Sequence, residues 1–314
     1  MTEDSLKPYV IGLDLGGTNS VFGIVDSRGD IKATTAIKTQ GYGDNVEAYV
    51  DASVEALKII IDQVGGIDKI KAMGIGAPNG NYYNGTIEFA PNLEWGRKGV
   101  VPLAKLFSDK LGIPVALTND ANAAAIGEMT YGVARGMKNF IVINGQLVYG
   151  CDGFAGELGH VIVKENGRQC GCGRKGCLET YCSATGVARS AREFLENSDE
   201  PSLLRELDPE KITSYDVAVA AGKGDKIANE IFEFTGKILG EACADFAAFS
   251  SPEAFIFFGG LTKAGDLIMT PIKKAYDETV LNIFKGKAKF LVSGLEGSSA
   301  AVLGASAVGW DIQD

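Results

Sequence analysis

Read for the spacing of apolar side chains, the chain resolves into short buried strands and amphipathic helices. Tyr9 to Leu15 is an apolar run of strand length, Val21 to Val25 a second after the turn GlyGlyThrAsn, and Ile31 to Ile37 a third after the polar turn SerArgGlyAsp; three strands in succession are expected. Val46 to Val64 carries apolar residues at 46, 50, 54, 57, 61 and 64, the spacing of a helix with one buried face. Ala72 to Ala77 reads as a buried strand stopped by Pro78, and Leu103 to Leu111 as a short helix ended by Gly112. ProValAlaLeuThr, 114 to 118, is a strand that delivers Asn119 and Asp120 to an alanine-rich helix, and a new strand opens over Asn139 to Ile143. Helices are expected over 184–196, 215–221, 227–249, 266–281 and 298–309, strands from Ala254 to the pair Gly259 and Gly260 and over 289–293, and a polar connector over 198–209.

Composition narrows the class. The 314 residues allow one large domain or two ordinary ones, and 46% hydrophobic with 22% charged residues is a globular balance. A net charge of −10 leaves no basic face of the kind phosphate backbones require, so nucleic acid is not expected as a partner. No apolar run reaches a membrane span, and the polar, acidic start MTEDSLKPYV is unlike a signal peptide; a cytoplasmic protein without a membrane partner is expected. Six cysteines are too sparse for a disulfide framework.

Three of those cysteines instead lie in eight residues with three glycines. Cys170, Cys172 and Cys177 form C-x-C-x4-C, and His160, the one histidine of the chain, lies ten residues upstream. Three thiolates and an imidazole suit a closed tetrahedral site for structural Zn2+; core thiols around a satisfied histidine, or a disulfide, are the alternatives. GCGRKG also fits a dinucleotide-type GxGxxG, but no strand precedes it and cysteines flank it, so that match is discarded. Glu157 and Glu179 bracket the segment. A metal would pin them, and would leave His160 one ring nitrogen as a donor of fixed tautomer, an array suited to a polyhydroxylated ligand.

Other candidates are ambiguous taken alone. In the AspLeuGlyGlyThrAsnSer turn, Asp14 can hold hydrated Mg2+, while Gly16, Gly17 and the Thr18 hydroxyl can approach an anion; an ordinary glycine-rich hairpin reads the same way. Asn92 could bind a sugar hydroxyl or simply turn the chain, with Trp95 packing nearby. Asn119 and Asp120 could cap a helix, and one of them could cap while the other serves as a base. Gly259 and Gly260 could admit a flat ring or merely turn the chain. No GxxxxGK[ST] occurs, which excludes a Walker-type nucleotide site.

GlyGluLeuGlyHis, 156 to 160, followed by CysGlyCysGlyArgLysGlyCys, 170 to 177, resembles the signature of the ROK family (repressors, open reading frames and sugar kinases), whose kinases are similar to the hexokinase, actin and Hsp70 ATPase group. The resemblance covers nearly the whole chain. It implies an α/β fold of two ribonuclease-H-like, actin-like ATPase domains with a cleft between them, 1–118 joined by a C-terminal helix over 298–314, and 119–297 with the zinc motif. The weak echo of the pattern at 9–64 from residue 139 onward agrees with a duplicated unit.

The implied activity is ATP- and Mg2+-dependent phosphorylation of a hexose at the 6-hydroxyl, in the manner of a glucokinase, by a homodimer. AsnAspAlaAsnAla resembles the segment carrying the family's catalytic aspartate, which makes Asp120 the base and Asn119 its neighbour. The resemblance assigns sugar contacts to Asn79, Gly80, Asn92, Glu157, His160 and Glu179. Asp14, Gly16, Gly17, Thr18 and Asn19 would serve phosphates and magnesium, Gly259 and Gly260 adenosine, and His160, Cys170, Cys172 and Cys177 zinc.

One departure is serious. The family carries a second phosphate loop, rich in Gly and Thr, and a return strand after the strand corresponding to 139–143, but here PheIleValIle runs directly into AsnGlyGlnLeuVal. A genuine deletion, an altered sequence and a mobile loop whose residues are absent from this sequence are the alternatives. The last is expected, since glycine-rich phosphate loops are often mobile and a lost strand leaves pairing partners unmet. A genuine deletion would imply a sugar-binding protein impaired in phosphoryl transfer. The family's sugar-responsive regulators are the other rival class. Their helix-turn-helix takes several dozen residues, whereas about eight precede the first strand here.

Overall fold

The computed structural model describes residues 7–137, 140–143, 156–295 and 299–312. They divide into two units, one built from the residues up to 136 with those from 293 onward, the other from 157–292 with the strand at 140–143.

In the first unit, β1 (Tyr9–Leu15), β2 (Asn19–Asp26) and β3 (Ile31–Lys38) form an antiparallel meander. Helix α1 (Val46–Gln63) starts where the Asn45 side chain accepts from Ala48 N at 3.0 Å, and it buries Tyr49, Val50, Val54, Leu57, Ile60 and Ile61. A carboxamide cap of this kind satisfies one of the free N–H groups of the first turn. After β4 (Ile70–Ala77) come three short strands, β5 (Gly80–Asn81), β6 (Thr86–Glu88) and β7 (Val100–Val101), paired in a small sheet of their own. Helix α2 (Leu103–Leu111) ends on Gly112 in the left-handed region (φ 70°), followed by β8 (Val115–Asn119) and α3 (Asp120–Thr130). The main sheet has the order β3-β2-β1-β4-β8, with β1, β4 and β8 parallel.

The second unit opens with β9 (Phe140–Ile143) and continues through α4 (Glu179–Cys182), α5 (Ala184–Glu196), α6 (Ser214–Gly222), α7 (Lys226–Ser250), β10 (Ala254–Phe257), α8 (Asp266–Thr279) and β11 (Lys289–Val292). Its sheet, in the order β11-β10-β9, is wholly parallel. Buried on both faces, its middle strand AlaPheIlePhe is apolar throughout, as a covered parallel strand must be. Helix α9 (Ser299–Trp310) then belongs to the first unit.

Two glycines make room for α9. A Cβ on Gly12 would lie 2.3 Å from Val302 O, and one on Gly74 would lie 2.0 Å from Ala305 O. Both obstacles are helix backbone, which cannot rotate aside. Gly74→Ala is therefore expected to lower stability by about 3 kcal/mol, read as the shift of the urea midpoint; an unchanged midpoint would mean that α9 does not lie on β4.

Two expectations are revised. The unit boundary falls after α3 rather than at 118/119, because α3 packs against α9: a Cβ on Gly304 would meet Ala123 O at 2.7 Å, and one on Gly127 would meet the Gly304 Cα at 2.8 Å. The explanation of the missing phosphate loop by residues absent from the sequence is also overturned, since the 314-residue chain runs unbroken from Ile143 to Asn144. The loop is absent from the chain itself. Strands β9, β10 and β11 match the parallel set β1, β4 and β8, while counterparts of the antiparallel β2 and β3 are not found among the described residues. AsnGlyGlnLeuVal, 144–148, lies outside those residues.

Candidate functional site

The first unit gathers its candidates at the carboxyl edge of β1, β4 and β8, where Asp14 pairs with Gly76 and Ala77 with Asn119. Open α/β sheets place ligands at such edges. Strand β1 ends just past half-buried Asp14, and the turn follows with Gly16 N donating to Asn19 O at 3.1 Å and the Thr18 side chain exposed. Asn19 is engaged elsewhere, its Oδ1 accepting from Lys38 Nζ at 3.1 Å across the β2–β3 ladder.

Strand β8 hands the chain to α3 in a way that separates the two roles left open for Asn119 and Asp120. Asn119 is the cap, its Oδ1 accepting from Asn122 N at 2.6 Å. Asp120 stays exposed, one of its oxygens accepting from Ala121 N at 2.8 Å. Burial, and next the charge of Asp120, push the Asp14 carboxyl above its ordinary range. Two neighbouring carboxylates are relieved by a proton or a cation, and oxygen donors of this kind fit hard Mg2+.

The remaining candidates of this unit are held by the small sheet. Asn79 adopts a left-handed conformation (φ 52°) and donates to Glu88 O at 3.0 Å and Phe89 O at 3.4 Å. Gly80 is small because Thr118 O would lie 2.5 Å from a Cβ there. Asn92 is exposed, whereas Trp95 is a core residue, stacked on Tyr49 with ring centroids 4.9 Å apart. Gln40, which sequence reasoning passed over, donates through Nε2 to Gly17 O and to Asn92 O. Nothing in the local sequence ThrGlnGly marks it; only the fold brings it to the loop fifty residues on.

In the second unit His160, Cys170, Cys172 and Cys177 converge, with all four ligand atoms within 4.8 Å of one another. Cys170 Sγ lies 3.7 Å from His160 Nδ1, and the Sγ atoms of Cys172 and Cys177 are 3.6 Å apart. Tetrahedral Zn–S and Zn–N bonds put donor atoms roughly 3.5–3.8 Å apart, so the group fits zinc. No disulfide joins these thiols. The loop is pinned by paired residues Ile162 with Cys177 and Gln169 with Lys175. Of its glycines, Gly176 is obligatory, since a Cβ would lie 1.8 Å from Lys164 O, while Gly171 has open space.

The two carboxylates that bracket the segment lie beside His160. His160 Nε2 faces Glu157 at 3.8 Å and Nδ1 faces Glu179 at 3.7 Å, and the Cys170 thiol donates to Glu179 Oε1 at 2.9 Å. Burial, helped by Glu179, pushes the Cys170 thiol up to about 12. The Arg174 backbone N–H and then its guanidinium bring exposed Cys172 down to about 6. A second residue missed in the sequence, Arg168, braces the loop from behind. It is buried, donates to Glu193 Oε2 at 2.6 Å, Ser190 Oγ at 2.8 Å and Thr180 O at 2.6 Å, and lies over the Tyr181 ring at 4.4 Å.

Gly259 and Gly260 lie beyond the end of β10 rather than within it, Gly259 at φ 96°. With Phe257, Leu261, Ser183 and Met269 they line a cavity of about 140 Å³. Among the described residues no helix is long and apolar enough to cross a membrane.

The sequence model of the ROK family matches residues 10–311. The glucokinase of Streptomyces coelicolor is 33% identical over 313 residues, covering 94% of this chain and 96% of that protein. The crystal structure of a ROK family glucokinase from Streptomyces griseus, in complex with glucose and AMPPNP, superposes with a TM-score of 0.75 at 31% identity, covering 96% of this chain and 99% of the other. The xylose repressor of Caldicellulosiruptor bescii is 27% identical over 252 residues, covering 76% of this chain and 62% of the repressor.

Proposed function

The chain belongs to the ROK family and has the α/β fold of its sugar kinases, and from that premise we propose that it is an ATP- and Mg2+-dependent hexose kinase acting on the 6-hydroxyl of glucose. One observation carries this reading: Asn119 takes the cap of α3, so that the exposed Asp120 carboxylate is not needed for it and acts on Asp14 through its charge. Identity is also higher to the glucokinase than to the xylose repressor, 33% against 27%.

In this proposal Asp120 orients the sugar hydroxyl and takes its proton late, because an alcohol is too weak an acid to ionise beforehand and the transition state is loose. Asn92, Glu157, His160 and Glu179 hold the other hydroxyls. Asp14 would hold magnesium, which would neutralise charge on the transferring phosphoryl group, and the turn would offer phosphate the backbone N–H groups of Gly17 and Thr18, that of Gly16 being taken by Asn19 O. Cys170, Cys172, Cys177 and His160 would hold zinc, which would leave His160 its other ring nitrogen as a donor of fixed tautomer. The hollow beside Gly259 and Gly260 would take the adenosine.

A second reading has its own support. The second phosphate loop is absent from the chain, and positioning of the phosphates supplies most of the catalysis in this chemistry. A hexose binder with little or no turnover would keep every sugar contact and lose the reaction. Coupled ADP release on glucose, other hexoses and N-acetylhexosamines separates the two. Turnover with glucose supports the kinase. Zero turnover across the panel, with glucose at a hundred times its Kd still adding about 2.7 kcal/mol to stability, would leave the binder.

A further inference from the structure

Gln40 follows β3 by two residues and joins two loops that the sequence gives no reason to connect. Its Nε2 donates to Gly17 O, in the glycine turn after β1, and to Asn92 O at 2.8 Å, in the loop after β6. The two loops also touch directly. A Cβ built on Gly17 would lie 3.3 Å from the Asn92 Cβ and 3.4 Å from its carbonyl oxygen.

The neighbours of Gln40 repeat the pattern. Thr39 N donates to Thr18 O at 3.0 Å, Trp95 Nε1 donates to Thr39 O at 3.3 Å, and Gly41 N donates to Glu94 Oε2 at 3.0 Å. Residues 39–41 are thus a strap that holds the glycine turn with one hand and the 92–95 loop with the other. Gln40 alone does both with a single group. Its other atom, Oε1, is buried and has no hydrogen-bond partner among the described residues. Buried acceptors are seldom left so. Turning the amide over does not help, since Oε1 would then face two carbonyl oxygens.

We propose that Gln40 is a positioning residue that couples sugar binding at the Asn92 loop to phosphate binding at the Gly17 turn. This rests on the reading of those loops as sugar and phosphate loops. A single NH2 group spans both carbonyls, so a shift of either one strains both hydrogen bonds. A ligand that sets one loop therefore sets the other, and by linkage the effect is reciprocal. The expected coupling is about tenfold in affinity, which corresponds to about 1.4 kcal/mol.

The test titrates the full-length protein calorimetrically with glucose alone, with magnesium AMPPNP alone, and with each in the presence of the other. In the wild type each ligand is expected to tighten the other about tenfold. Gln40→Met, which keeps length and bulk but donates nothing, is expected to reduce that factor below about twofold while glucose affinity alone and the thermal midpoint stay near wild type. Gln40→Ala provides the same readout should methionine disturb the fold. A merely structural role would lower both affinities and leave the coupling factor in place. Wild-type coupling in either folded variant would overturn the inference, as would independent binding of the two ligands by the wild type or failure to bind nucleotide. Failure to bind glucose at all would sink the underlying reading as well.

Discussion

Asp120→Asn is expected to reduce glucose phosphorylation by about a thousandfold while changing the Kd for glucose by less than about tenfold. The local geometry makes this substitution clean. Capping of α3 is done by Asn119, whose Oδ1 accepts from Asn122 N, so an isosteric amide at 120 leaves the helix start intact. The carboxamide can still accept from the sugar hydroxyl, which preserves orientation, but it cannot receive the proton. The complementary variant Asn119→Ala should do the reverse, removing about 1 kcal/mol of stability with the cap and costing chemistry only through the looser placement of Asp120. Single-turnover phosphorylation, glucose titration and urea unfolding on the two variants separate the roles. Undiminished turnover in Asp120→Asn would remove the base from the proposal. Since burial and, after it, the charge of Asp120 raise the Asp14 carboxyl, the asparagine should also let Asp14 ionise at somewhat lower pH. The magnesium requirement should then be met at lower pH in the variant than in the wild type.

How much of this was legible in the chain depends on whether a feature is local. The run from Tyr9 to Leu15 and the helix at 46–63 were placed almost to the residue, because burial of one face leaves its period in the sequence. The convergence of Cys170, Cys172 and Cys177 with His160 was legible for a similar reason, since glycine and cysteine were concentrated beside the one histidine. The pair at 119 and 120 was legible only as a pair; which member caps depends on backbone directions that composition does not carry. The small sheet of β5, β6 and β7 was missed because strands of two or three residues have no period. The grouping of α3 with the first unit turned on contacts of Gly127 and Ala123 with Gly304, some 180 residues downstream. Gln40 and Arg168 were missed because each is an ordinary polar residue by type, and its role comes from carbonyls and rings that only the tertiary structure assembles.

Loss of a zinc ligand should have the second large effect, and Cys177→Ser is the most telling choice. Cys177 is fully buried, pairs with Ile162 across the loop, and leads directly into Leu178 and the sugar candidate Glu179. Zinc content is expected to fall from about one equivalent to below a tenth, and glucose affinity by about a hundredfold, comparable to the effect of disturbing the shell around a metal. The reason is mechanical. Glu157, His160 and Glu179 lie on a short turn and at the first residue of a four-residue helix, elements too small to hold three side chains in register by themselves. With four ligand atoms tied to one ion, the imidazole tautomer and both carboxylates are fixed together. Chelation of the wild type should reproduce the loss, and added zinc should restore binding to the chelated protein but not to Cys177→Ser. Normal glucose affinity in freshly reduced protein carrying less than about half an equivalent of zinc would break the link between metal and sugar. The Arg168 network, which holds the loop from its other side through Thr180 O and Glu193, would then have to hold the sugar-binding acids without the ion.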